Sequence, residues 1–153
     1  MAVLEIMKAG APVLKEKSLP VERIDKKIKL LLDDMADTMY KHEGVGLAAP
    51  QVGKLLQMVV IDCQDEHGLL EMINPEITLR EGEMDGSEGC LSVPGIYGDV
   101  RRSAKVKVEY LNRRGKKQHL VATGLLSRCI QHELDHLSGQ LFIDIAESLR
   151  TEE

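Results

Sequence analysis

Aromatic residues are scarce in this chain of 153 residues, which has no tryptophan, one phenylalanine and three tyrosines. Recognition of nucleic acids by stacking bases on aromatic rings is therefore largely excluded. With 43% hydrophobic and 29% charged residues, the composition is that of a folded protein, whose core must be built from leucine, isoleucine, valine and methionine. The length suits one domain, so we expect residues 1–153 to form a single domain.

An excess of positive charge is also missing. The chain has 20 lysines and arginines against 25 aspartates and glutamates, which gives a formal net charge of −5. A surface that binds the phosphate backbone needs a basic footprint. We therefore expect no direct, sequence-specific binding of nucleic acid.

Cysteine pairs and long apolar runs are absent as well. Cys63, Cys90 and Cys129 are odd in number and form no C-x-x-C pair, which argues against a disulfide framework or a zinc knuckle and favours a reducing compartment. The N-terminus has neither a secretory nor a mitochondrial leader pattern, and no stretch approaches about 18 uncharged apolar residues. The sequence therefore predicts a cytoplasmic protein without a membrane partner.

Helical periodicity dominates the first third of the chain. Apolar residues from Ile24 to Met39 recur every three or four positions, which predicts an amphipathic helix that begins after Pro20 and ends near His42. Gly44 is expected to supply the left-handed residue that ends it. The glycine-rich segment 44–51 that follows is predicted to be a loop that allows close approach to a ligand.

Strand patterns dominate the middle of the chain. Residues 57–63 and 76–83 are rich in apolar and β-branched side chains, and residues 105–110 alternate with period two. A turn signal at residues 112–115 joins the last of these to residues 117–121, which predicts an antiparallel hairpin.

A second helix is predicted near the C-terminus. Thr123 is a suitable N-cap, residues 125–137 have helical spacing, and Gly139 can end the element. Most of its circumference is apolar, which leaves Ser127, Arg128, Gln131 and Asp135 as a polar strip. We therefore predict an α+β fold in which mostly antiparallel sheets surround a buried C-terminal helix, with the amphipathic helix at the N-terminal side.

The C-terminal helix contains the pattern H-E-x-x-H. His132 and His136 lie one turn apart on the same face, so both imidazoles can reach one metal ion. Glu133 lies beside them, where a carboxylate can accept a proton from water activated by the metal. The alternative is that both histidines are buried groups that form hydrogen bonds to the backbone.

A catalytic site of this kind needs a third protein ligand. A metzincin protease would have a histidine where this chain has Phe142, so that pattern fails. Asp144 and Glu147 remain candidates, but they lie close to the chain end. Cys90 is the preferred third ligand, whereas Cys63 is interpreted as a small buried hydrophobe.

Three segments together resemble a known family. Residues 44–51, 88–92 and 131–136 read GVGLAAPQ, EGCLS and QHELDH, and they resemble the three motifs of peptide deformylase in the same order. The similarity extends through Asn74-Pro75, Val93-Pro94-Gly95, Arg101-Arg102 and residues 141–144. Some relatives dock on the ribosome through a basic C-terminal helix, whereas residues 147–153 are not basic. This mode of docking is therefore in doubt, and only a transient ribosome contact is kept as an expectation.

The resemblance implies a catalytic domain that removes the N-formyl group from the initiator methionine of nascent polypeptides and releases formate. It assigns Cys90, His132 and His136 as metal ligands and Glu133 as the group that transfers the proton. It also implies that the Gln51 side chain and the Leu91 N–H stabilise the oxyanion that forms during hydrolysis.

The resemblance also suggests how formylmethionyl peptides bind. Residues 44–46 can pair with the peptide as an added strand, and an apolar pocket beside the metal would hold the methionine side chain. Plain core packing is the alternative for the Leu126 and Ile130 side chains. The full set of predicted substrate-binding residues is Gly44, Val45, Gly46, Glu88, Gly89, Leu126, Cys129 and Ile130, with the His132 ring as a further pocket wall.

The ligand set does not fix the metal. One thiolate and two imidazoles suit Zn²⁺, Fe²⁺, Ni²⁺ and Co²⁺, and the resemblance implies Fe²⁺ in cells. Two other functions remain open at this point. A small metallopeptidase would share the metal and Glu133, and a non-catalytic metal-binding module would share the ligands alone.

Overall fold

The computed structural model describes residues 2–151, and these contain two α-helices and eight β-strands. Short 3-10 turns cover Pro12–Lys15, Ala49–Val52 and Phe142–Asp144. The main elements are β1 (Gly46–Ala48), β2 (Met58–Ile61), β3 (Leu70–Glu81), β4 (Met84–Cys90), β5 (Val93–Arg102), β6 (Lys105–Leu111), β7 (Lys117–Thr123) and β8 (Ser148–Thr151), with helices α1 (Lys26–Lys41) and α2 (Gly124–Leu137). The predicted α+β class is confirmed.

The strands form two antiparallel sheets. The larger sheet has the order β1-β2-β3-β6-β7, and the smaller one has the order β4-β5-β8. The predicted hairpin is formed by β6 and β7, which pair from Lys105↔Thr123 to Leu111↔Lys117. Strand β1 is an edge of the larger sheet, so one side of its backbone is free of strand partners within residues 2–151.

Strand β2 shows how the larger sheet lies between the two helices. All four of its residues are buried, and neighbouring side chains point to opposite faces of the sheet. Val59 and Ile61 share a core cluster with apolar residues of α2, whereas Met58 and Val60 share one with apolar residues of α1. A helix therefore covers each face of the sheet, and α2 is the buried helix that was predicted.

Helix α1 ends next to His42 as predicted, but the residue in the left-handed conformation is not the predicted one. The helix begins at Lys26, where the Asp25 side chain accepts a hydrogen bond from the Ile28 N–H, and it ends in a Schellman motif. Glu43, with φ 57°, takes the left-handed conformation expected of Gly44. A small residue is needed at position 44 for a different reason, because a Cβ atom there would lie 2.8 Å from Leu91 Cδ1.

Strands β4 and β5 were not predicted. They form a hairpin with Leu91 and Ser92 at its turn, and Cys90 pairs with Val93 beside that turn. Glycines interrupt both strands, and Pro94 also interrupts β5, so their sequences lack the apolar alternation that indicates a strand. The motif at residues 88–92 is therefore the end of a hairpin and not a free loop.

The polar strip predicted on α2 is also revised. Ser127, Arg128 and Gln131 are buried, because this side of the helix faces other parts of the protein and not solvent. The Ser127 hydroxyl and the Gln131 amide both donate hydrogen bonds to the Ser103 carbonyl. Neither helix in residues 2–151 is long and apolar enough to cross a membrane.

The C-terminal end of α2 gives a test of the packing. Gly139 has φ +77°, and a Cβ atom there would lie 2.5 Å from the backbone oxygen of Lys15. Gly68 has φ +63° but open space around it. We expect Gly68→Ala to lower the free energy of unfolding by about 1 kcal/mol through backbone strain. Gly139→Ala should cost a further 1–3 kcal/mol, roughly, because it adds a clash. Urea unfolding of both variants measures the difference, and equal losses would contradict the described contact.

Candidate active site

Helix α2 and strand β4 bring the three predicted metal ligands together. Cys90 is the last residue of β4, and His132 and His136 lie one turn apart on α2. One donor atom from each of the three residues lies within 4.8 Å of the other two, and Cys90 Sγ is 3.4 Å from His136 Nε2. One ion between the three donors can contact all of them. A thiolate and two imidazoles are ordinary ligands of divalent transition metals, so these residues fit a metal ion.

The two histidines differ in their preference for charge. Burial lowers the pKa of His136 well below its ordinary value, and the charge on His132 lowers it further. Burial also opposes a charge on His132, but hydrogen bonds to Cys90 and Glu88 outweigh burial and raise its pKa well above the ordinary value. A metal ion binds the neutral imidazole, so protonation of either histidine competes with metal binding.

Glu88 holds His132 in place. Glu88 Oε1 lies 2.8 Å from His132 Nδ1, and the Arg102 guanidinium donates one hydrogen bond to each carboxylate oxygen of Glu88. Burial opposes ionisation of this carboxyl, but the hydrogen bonds from Arg102 and His132 are stronger in effect and lower its pKa to about 2. Glu88 does border the cleft, yet both its oxygens are engaged by protein groups. Its contacts therefore favour orientation of His132 over the predicted contact with substrate.

Glu133 is in the opposite situation. The side chain is buried, and Oε1 has no hydrogen-bond partner among the described residues. Burial raises the pKa of this carboxyl to about 7. Its other oxygen lies so close to β1 that a Cβ atom at Gly46 would be 2.5 Å from it. A carboxyl group with this pKa can accept and return a proton near neutral pH.

Gln51 is held on the other side of Cys90. Its Oε1 accepts a hydrogen bond from the Ala48 N–H at 2.9 Å, which fixes the orientation of the amide. Its Nε2 donates to Ser92 Oγ at 3.2 Å and lies 3.4 Å from Cys90 Sγ. The amide N–H groups therefore lie beside the ligand cluster, as an oxyanion donor requires.

A cleft of about 550 Å³ opens onto these groups. Its walls come from β1 and the segment before it, from the β4–β5 hairpin and from α2. Most of the predicted site residues line this cleft: Gly44, Val45, Gly46, Gln51, Glu88, Gly89, Cys90, Leu91, Cys129, His132 and Glu133. His136 is almost fully buried behind them.

Leu126 and Ile130 do not line the cleft. Both side chains are buried in the core cluster between α2 and the larger sheet, so their prediction as substrate contacts is revised to core packing. Leu125 lines the cleft instead and is 55% exposed. Successive helical residues are about 100° apart, so Leu125 and Cys129 project on the side of His132 while Leu126 and Ile130 project toward the sheet.

Further cleft residues were missed by the sequence analysis. Arg128 belonged to the predicted polar strip, and Tyr97 lies on β5, a strand that was not predicted. A Cβ atom at Gly89 would lie 2.8 Å from the Tyr97 ring, so glycine there allows the ring to cover the strand. For Leu125, in contrast, the sequence did contain a signal, because its helical position places it on the same side of α2 as His132.

Comparison with known proteins gives consistent matches. A sequence profile of the polypeptide deformylase family matches residues 3–152. The peptide deformylase of Desulfitobacterium hafniense is 56% identical over 146 residues, which cover 95% of this chain and 96% of that protein. The crystal structure of a peptide deformylase from Legionella pneumophila is 44% identical with a TM-score of 0.92, covering 95% of this chain and 87% of that one. The crystal structure of a peptide deformylase from Synechococcus elongatus in complex with actinonin is 46% identical, with a TM-score of 0.90. The match covers 95% of this chain and 79% of that one.

The low pKa of Glu88 predicts a pH-dependent contribution to stability. A pKa lowered from 4.5 to about 2 corresponds to about 3 kcal/mol of stabilisation by the ionised form. This contribution is present above pH 4.5, the ordinary value, and is lost as the pH falls toward 2. We expect Glu88→Gln to lower the free energy of unfolding of the metal-free protein by about this amount at pH 7, and by less at pH 3.

Urea unfolding of the Glu88→Gln variant at several pH values measures this contribution. Glu76→Gln is the matched control, because Glu76 is exposed on β3. A deficit in Glu88→Gln that stays constant from pH 7 to pH 3 would contradict the described ion pairs.

Proposed function

Because this chain belongs to the polypeptide deformylase family, we propose that Cys90, His132 and His136 hold its catalytic metal and that Glu133 transfers the proton. The chain is a metal-dependent hydrolase that removes the N-formyl group from the N-terminal methionine of nascent polypeptides and releases formate. The observation that carries the site assignment is that three metal donors lie together beside the cleft, next to the buried Glu133 carboxyl, whose Oε1 has no hydrogen-bond partner within residues 2–151.

Glu133 is the group that moves protons in this proposal. A metal ion bound by the three ligands supplies the Lewis acidity that makes water nucleophilic near neutral pH. The Glu133 carboxylate accepts a proton from the attacking water and then delivers it to the nitrogen of the leaving amine. The carboxylate is thereby regenerated in each cycle. Its buried position and its pKa of about 7 suit both transfers.

Gln51 and Leu91 stabilise the negative charge that develops on the formyl oxygen. The hydrogen bond from Ala48 keeps the Gln51 amide turned so that its N–H groups lie near Cys90. Leu91 directly follows Cys90, and we assign its backbone N–H as the second donor. Donors of this kind, fixed before the reaction, each contribute about 10²–10³ in rate.

The peptide binds along the free edge of β1. The Gly44–Gly46 segment lies at the cleft, and glycine at position 46 leaves room for the Glu133 carboxylate beside it. Main-chain hydrogen bonds to this edge would accept many peptide sequences. Val45, Leu125, Cys129 and the His132 ring line the cleft and form the proposed wall for the methionine side chain, and Gly89 borders the same cleft.

We propose iron as the metal in cells. The donor set is also compatible with Zn²⁺, Ni²⁺ and Co²⁺, so supply in the cell decides which ion is bound. Ferrous iron beside a cysteine ligand is sensitive to oxygen, because thiolates are readily oxidised.

We further propose that residues 1–153 act as a single catalytic domain in the cytoplasm, where formylated chains are synthesised. The net charge of −5 supports neither a nucleic-acid partner nor a membrane partner. Residues 148–151 form a short strand that pairs with β5, so this segment is not helical. We infer that contact with the ribosome is transient.

Replacement of Glu133 tests the assigned chemistry. Glu133→Gln keeps the size of the side chain but removes the proton acceptor, so we expect kcat for formyl-Met-Ala-Ser to fall by about 10²–10⁴-fold with unchanged metal content. Formate release and elemental analysis of the purified variant measure the two quantities. The exposed Glu76→Gln variant should retain full activity. An unchanged rate of formate release in Glu133→Gln would contradict the proposed role.

Exchange of the metal tests the iron proposal. We expect the Fe²⁺ enzyme to lose activity in air, while the Ni²⁺ enzyme retains it under the same conditions. Formate release is followed over time for each form, with anaerobic samples as controls. Metal analysis of protein purified anaerobically from its own cells should find iron, and equal stability of both forms in air would contradict the predicted oxidation.

A further inference from the structure

A second arginine contacts Glu88 from the helix that carries the histidines. Arg128 lies four residues before His132 on α2 and is only 8% exposed. Its Nη1 donates to Glu88 Oε2 at 2.6 Å and to the Val100 carbonyl at 2.9 Å. Its Nη2 donates to the Met84 carbonyl at 3.3 Å. Arg128 therefore joins α2 to both strands of the β4–β5 hairpin.

Arg102 contacts both oxygens of Glu88, and each oxygen has one further partner. Oε1 contacts Arg102 Nη2 and His132 Nδ1, whereas Oε2 accepts from Arg102 Nε and Arg128 Nη1. Arg102 is shared with a second carboxylate, since its Nη1 also donates to Asp135. Arg128 is thus the group that fixes Oε2 independently of Arg102, and with Oε2 fixed the carboxylate cannot turn Oε1 away from His132.

Gly86 provides the space for this guanidinium. A Cβ atom at Gly86 would lie 2.8 Å from Arg128 Nη2 and 2.9 Å from Arg128 Cζ. Gly86 does not have a positive φ, so its backbone does not require glycine. Gly86 on β4 and Arg128 on α2 are therefore complementary in shape, because the guanidinium occupies the space that a larger residue at position 86 would need.

We propose that Arg128, admitted by Gly86, is a positioning residue for the metal ligand His132 and acts through Glu88. A carboxylate held at Nδ1 fixes the ring orientation and leaves Nε2 available as the ligand. This role rests on the proposed function of His132 as a metal ligand. It differs from a purely structural link between α2 and the hairpin, because it requires that a change at Arg128 alters metal binding.

Cobalt binding tests the proposal. We expect Arg128→Met to weaken Co²⁺ affinity, measured by competition with a chelator, by about 10–100-fold, as is typical when a group behind a metal ligand is removed. The visible absorption of bound Co²⁺ should also change, because it reports ligand geometry. Arg128→Lys should restore part of the affinity. Arg101→Met is the matched control, since Arg101 is an exposed arginine that links β5 to Asp85 on β4.

Gly86→Ala supplies a second route that keeps the charge. The added methyl group should displace the guanidinium and weaken Co²⁺ affinity in the same direction as Arg128→Met. In the double variant, Gly86→Ala should add little to Arg128→Met, because the group it displaces is already absent. Independent, additive losses would contradict the proposed coupling.

Two outcomes overturn the role of Arg128. One is a folded Arg128→Met variant that has lower thermal stability but binds Co²⁺ with the same affinity and the same absorption spectrum as the wild-type protein. If that variant does not fold, a folded Gly86→Ala variant with unchanged Co²⁺ affinity overturns the role instead. Cys90→Ala in the same titration separates this proposal from the proposed function, because unchanged affinity there would contradict the metal site itself.

Discussion

The side-chain contacts between β4 and α2 are the constraint on which the rest of the site depends. Cys90 lies at the end of a strand in the smaller sheet, whereas both histidines lie on a helix packed against the larger sheet. Glu88, two residues before Cys90, contacts His132 across the same boundary. Strand β4 therefore carries both a metal ligand, Cys90, and the carboxylate that contacts His132. Movement of β4 relative to α2 would separate the thiolate from the imidazoles and the carboxylate from His132 together.

Two buried carboxyl groups near this boundary have pKa values shifted in opposite directions by their surroundings. Burial opposes ionisation of Glu88, but its hydrogen bonds with Arg102 and His132 outweigh burial and lower its pKa to about 2. Glu133 is buried without a hydrogen-bond partner on Oε1 among residues 2–151, and its pKa rises to about 7. Charge pairing overcomes the cost of burial in the first case and is missing in the second. One carboxyl group is thereby held in the ionised form, and the other can exchange a proton near neutral pH.

Local sequence patterns predicted the parts of the site that depend on one element. The i, i+4 spacing places His132 and His136 on one helical face whatever surrounds them, and three motifs in order led to the family. The sequence left pocket lining and core packing both open for Leu126, because periodicity shows that a helix has an apolar side but not which side faces a cleft; the structure places Leu126 in the core cluster. The role of Glu88 depends on residues 14 and 40 positions away, which no local pattern contains. Gly86 and Gly89 in β4 allow the close approach of Arg128 and Tyr97, and the same glycines concealed this strand.

The central claim is that one cysteine sulfur and two histidine nitrogens bind the same ion. X-ray absorption at the zinc edge of the zinc-loaded protein tests it most directly, since sulfur and nitrogen ligands scatter at different distances, about 2.3 and 2.0–2.1 Å. We expect one sulfur and two imidazole nitrogens per zinc, with the sulfur contribution lost in Cys90→Ala. A spectrum without a sulfur ligand, or one that is unchanged in Cys90→Ala, would contradict it.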